Sequence, residues 1–373
     1  RTPSSAGSNT TGTVSAWVKY TTGGDFNTII GGNEGSSSTD RSLFSISSDG
    51  TIYNQIVDGG SAYTQESTRK LLDPAAWYHI VIQFDTTNAV QADRIKTYVN
   101  NELITSWSTT ASWPSSVDIK LWDSAASAEY MIGCRKSSSS YQYFFDGNMA
   151  HVHVIDGTVY APSAFAETDA TSGIWVAKTS PSVTYGTNGG FYKFQDTSAF
   201  GDDSSGQGND MTMVGTITQT QDTPDNNWCT MNPLEKNTNN TQTFSNGNNT
   251  VEITAGYGPV GSTMSVSKGK WYAECHINST ASSGDLNIML GINGSYNMPN
   301  NNTLGYSASA YGFYLYNGYM LTNNTSNSNT GGTQYWTSPG GGIVDNNKYW
   351  ALALDCDNNK LYVRLEGTWL ESA

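Results

Sequence analysis

Charge is scarce in this chain: Asp, Glu, Lys and Arg together make up 13% of 373 residues. Solvated helical faces draw on Glu, Lys and Arg, so long amphipathic helices are excluded as the main architecture. The 18 Lys and Arg are scattered, and the net charge is -14. A duplex-binding protein needs a clustered basic face, so nucleic acid is not expected as a partner. The acidity reads instead as solubility. No apolar run approaches the roughly 20 residues that span a bilayer, and no membrane insertion is expected. The opening Arg1-Thr2-Pro3-Ser4 has no apolar core and does not read as a signal peptide. Cysteine is also sparse, at Cys134, Cys229, Cys275 and Cys356, with no pair spaced like a metal site. These read as small buried thiols; a Cys275–Cys356 disulfide is the alternative, because both lie in strand-like runs of the second half.

What the chain has in quantity is aromatics, at 12%, and Gly, at 38 residues, set among Ser, Thr and Asn. That mixture favours short strands joined by turns. Apolar residues alternate in Val14, Ala16 and Val18, in Tyr78, Ile80, Ile82 and Phe84, and in Ile95, Thr97 and Val99. Asn100-Asn101 then turns the chain into Glu102-Leu103-Ile104. Period-two alternation broken by Asn, Gly and Asp predicts an antiparallel sandwich. Ser124 to Glu129 is the one short helical turn expected in this half. From about Asp156 to Gly190 the pattern weakens around Pro162 and Pro181, with one helical turn expected within Val159–Glu167. A strand is predicted at Gly190–Phe194, a polar loop at Asp202–Asp210, and a strand pair at Met211–Val214 and Thr216–Thr220.

Asn232 to Asn249 is polar and Asn/Thr-rich, and reads as a linker that cannot bury enough surface to fold by itself. Strand patterning resumes with Trp271, Ala273, Cys275 and Ile277, then Leu286, Ile288 and Leu290, then Phe313 and Leu315. Trp350, Leu352, Leu354 and Cys356 form a late strand, and Asp357-Asn358-Asn359 turns into Lys360-Leu361-Tyr362-Val363. The chain ends at Ala373, earlier than a complete sandwich, and reads as a piece of a longer polypeptide. The expected divisions are a first sandwich over 1–165, a connecting β segment over 166–231 that completes it or stands alone, a linker over 232–249, and a second, truncated sandwich over 250–373.

The first half resembles the laminin-G-like, concanavalin-A-like sandwich family. The residues that carry the likeness are Ser15-Ala16-Trp17-Val18-Lys19, Asp49-Gly50-Thr51-Ile52, Ala76-Trp77-Tyr78-His79-Ile80-Val81, Lys96-Thr97-Tyr98-Val99-Asn100-Asn101-Glu102-Leu103, Met131-Ile132-Gly133 and Phe145-Asp146-Gly147. In many family members the element like Phe194 to Asn209 precedes the first strand; here it follows the module. The second half is similar to SPRY-type sandwiches through Val266-Ser267-Lys268-Gly269-Lys270-Trp271-Tyr272-Ala273-Glu274, Met289-Leu290-Gly291-Ile292 and Ala351-Leu352-Ala353-Leu354-Asp355-Cys356-Asp357. The whole resembles virion structural or appendage proteins of marine tailed phages, cyanophage-like, through Arg1-Thr2-Pro3-Ser4-Ser5-Ala6-Gly7, Tyr185-Gly186-Thr187-Asn188-Gly189, Asp203-Ser204-Ser205-Gly206 and Thr230-Met231-Asn232-Pro233-Leu234.

The expected fold class is therefore all-β, with tandem antiparallel β-sandwiches, a laminin-G/concanavalin-like jelly roll followed by a SPRY-like one. The resemblance implies a non-enzymatic protein of the virion surface, a tail fibre or capsid decoration. It implies partners that are copies of itself, a trimer favoured, other virion proteins, and host-surface glycans. The rival reading is a secreted carbohydrate-binding adhesin or carbohydrate-active enzyme.

No catalytic, cofactor-binding or metal-binding residue is assigned, and the candidates fall short for stated reasons. Glu167-Thr168-Asp169-Ala170-Thr171-Ser172 supplies two acids of a Glu-x-Asp-x-x-Glu pattern but places Ser where a second Glu would complete an acid and nucleophile pair. The segment also lacks strand character. His151 and His153 sit two apart on a predicted strand, a spacing that can grip one metal, but no third ligand is near. No Gly-x-Ser-x-Gly elbow is present. The Asp202–Asp210 loop offers the hard oxygens calcium prefers, in residues that equally make ordinary turns. Tyr311, Tyr314, Tyr316, Tyr319 and Trp336 are candidates for a sugar platform, with core or subunit contact as the more ordinary use. Asn-x-Ser/Thr sequons, Asn240 and Asn324 among them, reflect composition.

Overall fold

A computed structural model of the protein describes residues 1–21, 25–34, 39–123, 128–137, 140–236, 242–254, 258–278, 288–294, 304, 309–315, 318–322, 333–334 and 347–370. Two compact units emerge. The first comprises Arg1–Thr230 with Phe244–Thr250, and the second Met231–Thr243 with Val251–Ala373. Every regular element is a strand apart from two short 3-10 turns, Gln91–Asp93 and Pro162–Ala164, among the described residues.

The first unit's strands are Thr11–Tyr20 (β1), Asn27–Asn33 (β2), Arg41–Ile46 (β3), Thr51–Asp58 (β4), Ser61–Lys70 (β5), Tyr78–Asp85 (β6), Ile95–Val99 (β7) and Glu102–Leu103 (β8). Then come Trp107–Thr109 (β9), Glu129–Ile132 (β10), Arg135–Ser137 (β11), Ser140–Gln142 (β12), Gly147–Asp156 (β13), Ala166–Thr168 (β14), Trp175–Ala177 (β15) and Gly190–Tyr192 (β16). They build two six-stranded sheets, a front sheet β16-β13-β1-β6-β7-β8 and a back sheet β10-β2-β3-β4-β5-β9. The alternation seen in the sequence is the inward face. Val14, Ala16 and Val18 of β1 and Tyr78, Ile80, Ile82 and Phe84 of β6 meet Phe44, Ile46, Ile52 and Ile56 of the back sheet. Each such side chain, fully buried, contributes about 1.5–3 kcal/mol. Asn100 and Asn101 both take positive φ (48° and 69°), as a tight hairpin between β7 and β8 demands. Gly147 opens β13 at φ +150°, where a Cβ would lie 2.2 Å from the Lys19 carbonyl oxygen.

The outward face of the front sheet is sealed as well. Thr13, Ser15, Trp17, Lys19, His79, Val81, His153 and Ile155 are all buried. The cover is the chain after β13. Phe165, Tyr185 and Phe191 pack on Val81 and Ile155, and Ala166, Ala177 and Trp175 pack on Trp17 and Trp77. The segment beyond 165 thus lies in the first unit as far as Thr230. β16 extends the front sheet at its β13 edge, and Tyr192 enters the main core.

Some expectations differ. Met211–Val214 and Thr216–Thr220 are not strands. Met213, Val214 and Ile217 are exposed, so no packed face rewards pleating there. Glu167, in a segment expected to lack strand character, belongs to β14, held by pairing with β15. The expected helical turn at Ser124–Glu129 lies mostly outside the described residues, and Glu129 begins β10. Within the stretch read as a linker, Met231–Lys236 (β17) and Gln242–Ser245 (β18) are strands. β18 pairs with Thr250–Ile253 (β19), and Asn248 at their turn is buried in the first unit, its N–H donating to Thr21 Oγ1 (3.2 Å).

The second unit adds Val260–Ser262 (β20), Lys270–Ile277 (β21), Met289–Asn293 (β22), Ala310–Tyr314 (β23), Tyr319–Thr322 (β24), Thr333–Gln334 (β25), Lys348–Asp355 (β26), Lys360–Leu365 (β27) and Thr368–Trp369 (β28). Two four-stranded sheets, β21-β26-β27-β28 and β22-β23-β24-β25, enclose Phe313, Leu315, Trp350, Leu352 and Val363. The architecture is thus all-β, with tandem antiparallel sandwiches.

Candidate functional site

The residues singled out in the sequence do not converge. Glu167 points to solvent on β14. The Asp169 carboxylate accepts hydrogen bonds from the Thr171 and Ser172 amides (3.1 and 2.7 Å) and the Ser172 hydroxyl (2.7 Å), which makes it a turn staple. In the Asp202–Asp210 loop, the Asp203 carboxylate accepts from the amides of Phe191, Ser205 and Asn209 (2.9, 2.8 and 2.9 Å) and from the Ser205 hydroxyl (2.7 Å). Asp210 Oδ1 accepts the Asp203 amide, and Asn209 ties the loop to Arg1, Thr187 and Gly189. The Asp203 and Asp210 carboxylates are spent on protein donors. Among the described residues no group of three or more His, Cys, Asp or Glu is placed to hold a metal, and no helix is long and apolar enough to cross a membrane.

No disulfide links Cys134, Cys229, Cys275 and Cys356 to one another. Cys275 pairs in register with Trp350, whereas Cys356 follows the far end of β26, so the two are several residues apart along the ladder. Burial pushes the Cys275 and Cys134 thiols up to about 11, which makes them poor nucleophiles. Tyr314 is buried and Tyr311 is exposed, so these two do not share one platform. Tyr316, Trp336, Asn240, Asn324 and Leu286 lie outside the described residues.

The buried His79 and His153, with the half-buried His151, form a group whose inclusion of His79 the sequence did not announce. His151 takes a positive φ (47°) in a bulge where β13 slips against β1, between the pairs Ser15–His153 and Trp17–Ala150. Phe191 stacks on both His151 and His153 (ring centroids 6.1 and 4.0 Å). His79 Nε2 lies 2.8 Å from Ser15 Oγ, a distance that suits a catalytic dyad. The third partner reverses that reading. Trp175 Nε1–H donates to His79 Nδ1 (3.0 Å), and an indole nitrogen can only donate. The neutral ring therefore carries its proton on Nε2 and donates it to Ser15. A general base must do the opposite, and both residues are closed to solvent. Burial holds His79 down at about 3 and His153 well below 6.5.

The outward face of the back sheet is the less covered one, although Leu43, Ser45 and Val57 on it are buried. β3 and β4 present Arg41, Tyr53 and Gln55 there, all half-buried. The β11–β12 hairpin folds over β2 at Gly31, where a Cβ would stand 2.8 Å from the Cys134 carbonyl oxygen and 3.2 Å from Arg135 Cα. Phe26 packs tilted between Tyr53 and Tyr143 (4.7 and 5.1 Å), and the Arg135 guanidinium lies over the Tyr143 ring at 4.1 Å. Arg41 donates to Gln55 Oε1 (3.1 Å), and Gln55 Nε2 donates to Tyr53 Oη (2.8 Å) and Thr64 Oγ1 (3.1 Å). Aromatic faces thus stand beside oriented amide, hydroxyl and guanidinium groups, the combination that takes a polyol ring. The sequence concealed this face because its members come from strands and a hairpin up to about a hundred positions apart.

The second unit carries an exposed aromatic face of its own. Tyr272, Tyr349 and Trp369 are each about half exposed (49%, 53% and 51%). Trp369 meets Tyr272 and Tyr362 edge-on, and Arg364 lies over the Trp369 ring at 5.6 Å. Tyr272 and Tyr362 flank Ala353 in the ladder. These are the off-core positions of the strands whose other positions drew attention in the sequence.

Comparison with known proteins agrees with this architecture. Residues 1–163 match the model of the concanavalin A-like lectin/glucanases superfamily (the Laminin_G_3 family), and this part of the chain carries that lectin fold. No curated protein matches the chain. Among solved structures, similarity extends to the CBM40 module of an intramolecular trans-sialidase from Ruminococcus gnavus, at 15% identity over 42% of this chain and 80% of that one, TM-score 0.31. It extends also to the heptameric SAP-like pentraxin of Limulus polyphemus (14%, 47% and 82%, TM-score 0.32). A third is domain 4 of an extracellular arabinanase from Geobacillus stearothermophilus, in complex with arabinotriose (16%, 43% and 65%, TM-score 0.29).

Proposed function

We propose that this chain is a non-enzymatic surface-display protein of a tailed-phage virion, a tail-fibre appendage or capsid decoration, whose first unit attaches to host-surface glycans. The observation that carries the glycan part is the asymmetry of the first sandwich. One outer face is sealed by the protein's own chain, while the other leaves Phe26, Tyr53 and Tyr143 only half-buried beside Arg41, Gln55 and Arg135. The lectin-type fold of residues 1–163 supports the same reading. The virion part rests on the phrases shared with marine phage appendage proteins, and the second unit is read as a SPRY-like sandwich.

Repeated display calls for copies of the chain about a symmetry axis, a trimer by preference. The exposed Tyr272, Tyr349 and Trp369 are suited to contacts between copies. Sedimentation of the chain at micromolar concentration tests this, and a strict monomer removes it. Immobilised glycan screening tests attachment. Binding that is lost in Tyr143→Ala but kept in Glu167→Gln supports the site, whereas turnover of any glycan abolished by Glu167→Gln overturns the non-enzymatic reading. Negative-stain microscopy of particles labelled with an antibody against the chain locates it on, or excludes it from, the virion.

A further inference from the structure

We infer that the less covered face of the back sheet selects acidic glycans, seating a sugar carboxylate between Arg41 and Arg135. This deepens the glycan-binding reading and rests on it.

Arg41 starts β3, and Arg135 starts the hairpin that lies down on β2. The close approach at Gly31 sets Arg135 over β2, whose neighbouring strand β3 carries Arg41. Both are half-buried. Burial first, and then the neighbouring Arg135 charge, lowers the Arg41 guanidinium below its usual range. Arg135 itself makes no ion pair among the described residues. Its bonds go to Gln142 Oε1 (3.3 Å) and to the Tyr143 ring, and its buried Nε has no acceptor. Nearby carboxylates are engaged elsewhere: Glu129 holds Lys136 at 2.8 Å, and Glu66 accepts from Thr51 at 2.8 Å.

Two partly desolvated like charges repel each other, and an anion arriving between them removes the repulsion and meets the unpartnered Arg135 Nε. Guanidinium is planar and forked, and matches a planar carboxylate better than a compact ammonium does. The flanking Tyr53 and Tyr143 rings add the apolar surface that a pyranose ring covers, and the Gln55 amide is already turned towards the face. The ligand chemistry so defined is a carboxylate on a ring that stacks, as in a uronic or a nonulosonic acid residue. The setting is notable in a chain of net charge -14, where a cationic spot is a local exception.

The test uses the full chain and calorimetric titration with three probes: galacturonate oligomers, the same oligomers with their carboxylates methyl-esterified, and a sulfated galactan. The expected result is at least tenfold tighter binding of the free acid than of its ester. Arg135→Gln should shrink that preference to under threefold by weakening the acid more than the ester. Arg135→Lys should keep an intermediate preference, and Tyr143→Ala should weaken acid and ester together. Raising sodium chloride to half molar on the unaltered protein should reduce the preference too, a readout independent of whether any variant folds. Equal binding of acid and ester overturns the inference and leaves glycan attachment standing. A sulfated galactan bound as tightly as the acid overturns the carboxylate assignment. An acid preference that survives Arg135→Gln overturns the site. Binding of none of the probes nor of any neutral glycan overturns the attachment reading itself.

Discussion

Lys19 Nζ lies 2.8 Å from Asp222 Oδ2, across 203 residues of sequence, and the two side chains are 0% and 5% exposed. The ammonium also donates to Asn227 Oδ1 and the Trp228 carbonyl, each at 2.8 Å, so all three of its protons are used. Asp222 Oδ1 accepts from Trp77 Nε1–H (2.8 Å) and the Trp228 amide (3.3 Å). This pair pins the last part of the cover segment onto the front sheet.

Removing one partner leaves a buried charge with no counter-ion. Lys19→Met is expected to destabilise the first unit by about 3–5 kcal/mol. Asp222→Asn should cost less, because Asn227 and Trp228 still face the ammonium. The double change Lys19→Met with Asp222→Leu should recover part of the loss. Urea unfolding followed by tryptophan fluorescence checks the order of the three. Equal stability of Lys19→Met and the unaltered chain would show that the segment is held by its apolar contacts alone.

The buried histidines predict acid sensitivity. Burial lowers the pKa of His79 from 6.5 to about 3, and those of His153 and His151 are lowered too. In the unfolded chain these rings take up protons below about pH 6.5, while the folded ones do not. Stability is therefore complete above that pH and is lost as the pH falls towards the folded values, by up to about 1.4 kcal/mol per pH unit for each histidine held neutral. Melting temperatures from pH 7.5 to 4 measure the slope. His153→Phe should flatten it, at the cost of the Nδ1–Tyr185 Oη hydrogen bond (3.0 Å). An unchanged slope in that variant would count against the assignment.

Lys120 is buried among four carboxylates, with its Nζ 3.2 Å from Asp58, 3.3 Å from Glu34, 3.5 Å from Asp118 and 3.7 Å from Asp40. Although burial works against it, Asp58, Asp118 and Glu34 raise the Lys120 pKa. Lys120→Met should leave the acids facing one another and destabilise the unit by about 3 kcal/mol at pH 7. That deficit should shrink in half-molar sodium chloride, which screens the repulsion among the acids. Chemical denaturation at low and high salt separates this from a plain packing loss, which would not shrink with salt.

Calcium should leave the first unit's stability alone. The Asp203 carboxylate is already met by three amides and one hydroxyl. A ligand that binds the folded state raises its melting temperature by mass action, so the melt in millimolar calcium and in chelator should agree within about 1 °C. A clear rise with calcium would reassign the Asp202–Asp210 loop as a cation site. Asp203→Ala should lower the melting temperature in both conditions alike.

What the amino-acid order settled by itself was the inward face of the first unit's central strands. Val14, Ala16 and Val18, or Tyr78, Ile80, Ile82 and Phe84, declare their side of a sheet through the two-residue pleat, which is a local property of the backbone. Asn100-Asn101 and Asp357-Asn358-Asn359 declared their turns in the same way, through residues that accept positive φ. The second face of each sheet was decided only in three dimensions. Lys19 and His79 occupy positions that alternation assigns to water, and both are buried because the chain from Phe165 to Trp228 closes over them. No local pattern encodes that closure, since it depends on partners such as Asp222 and Trp175 that are 203 and 96 positions away. The same holds for the less covered face. Arg41 and Arg135 look unrelated in the sequence, and they come to neighbouring elements only because Gly31 lets a hairpin settle onto β2.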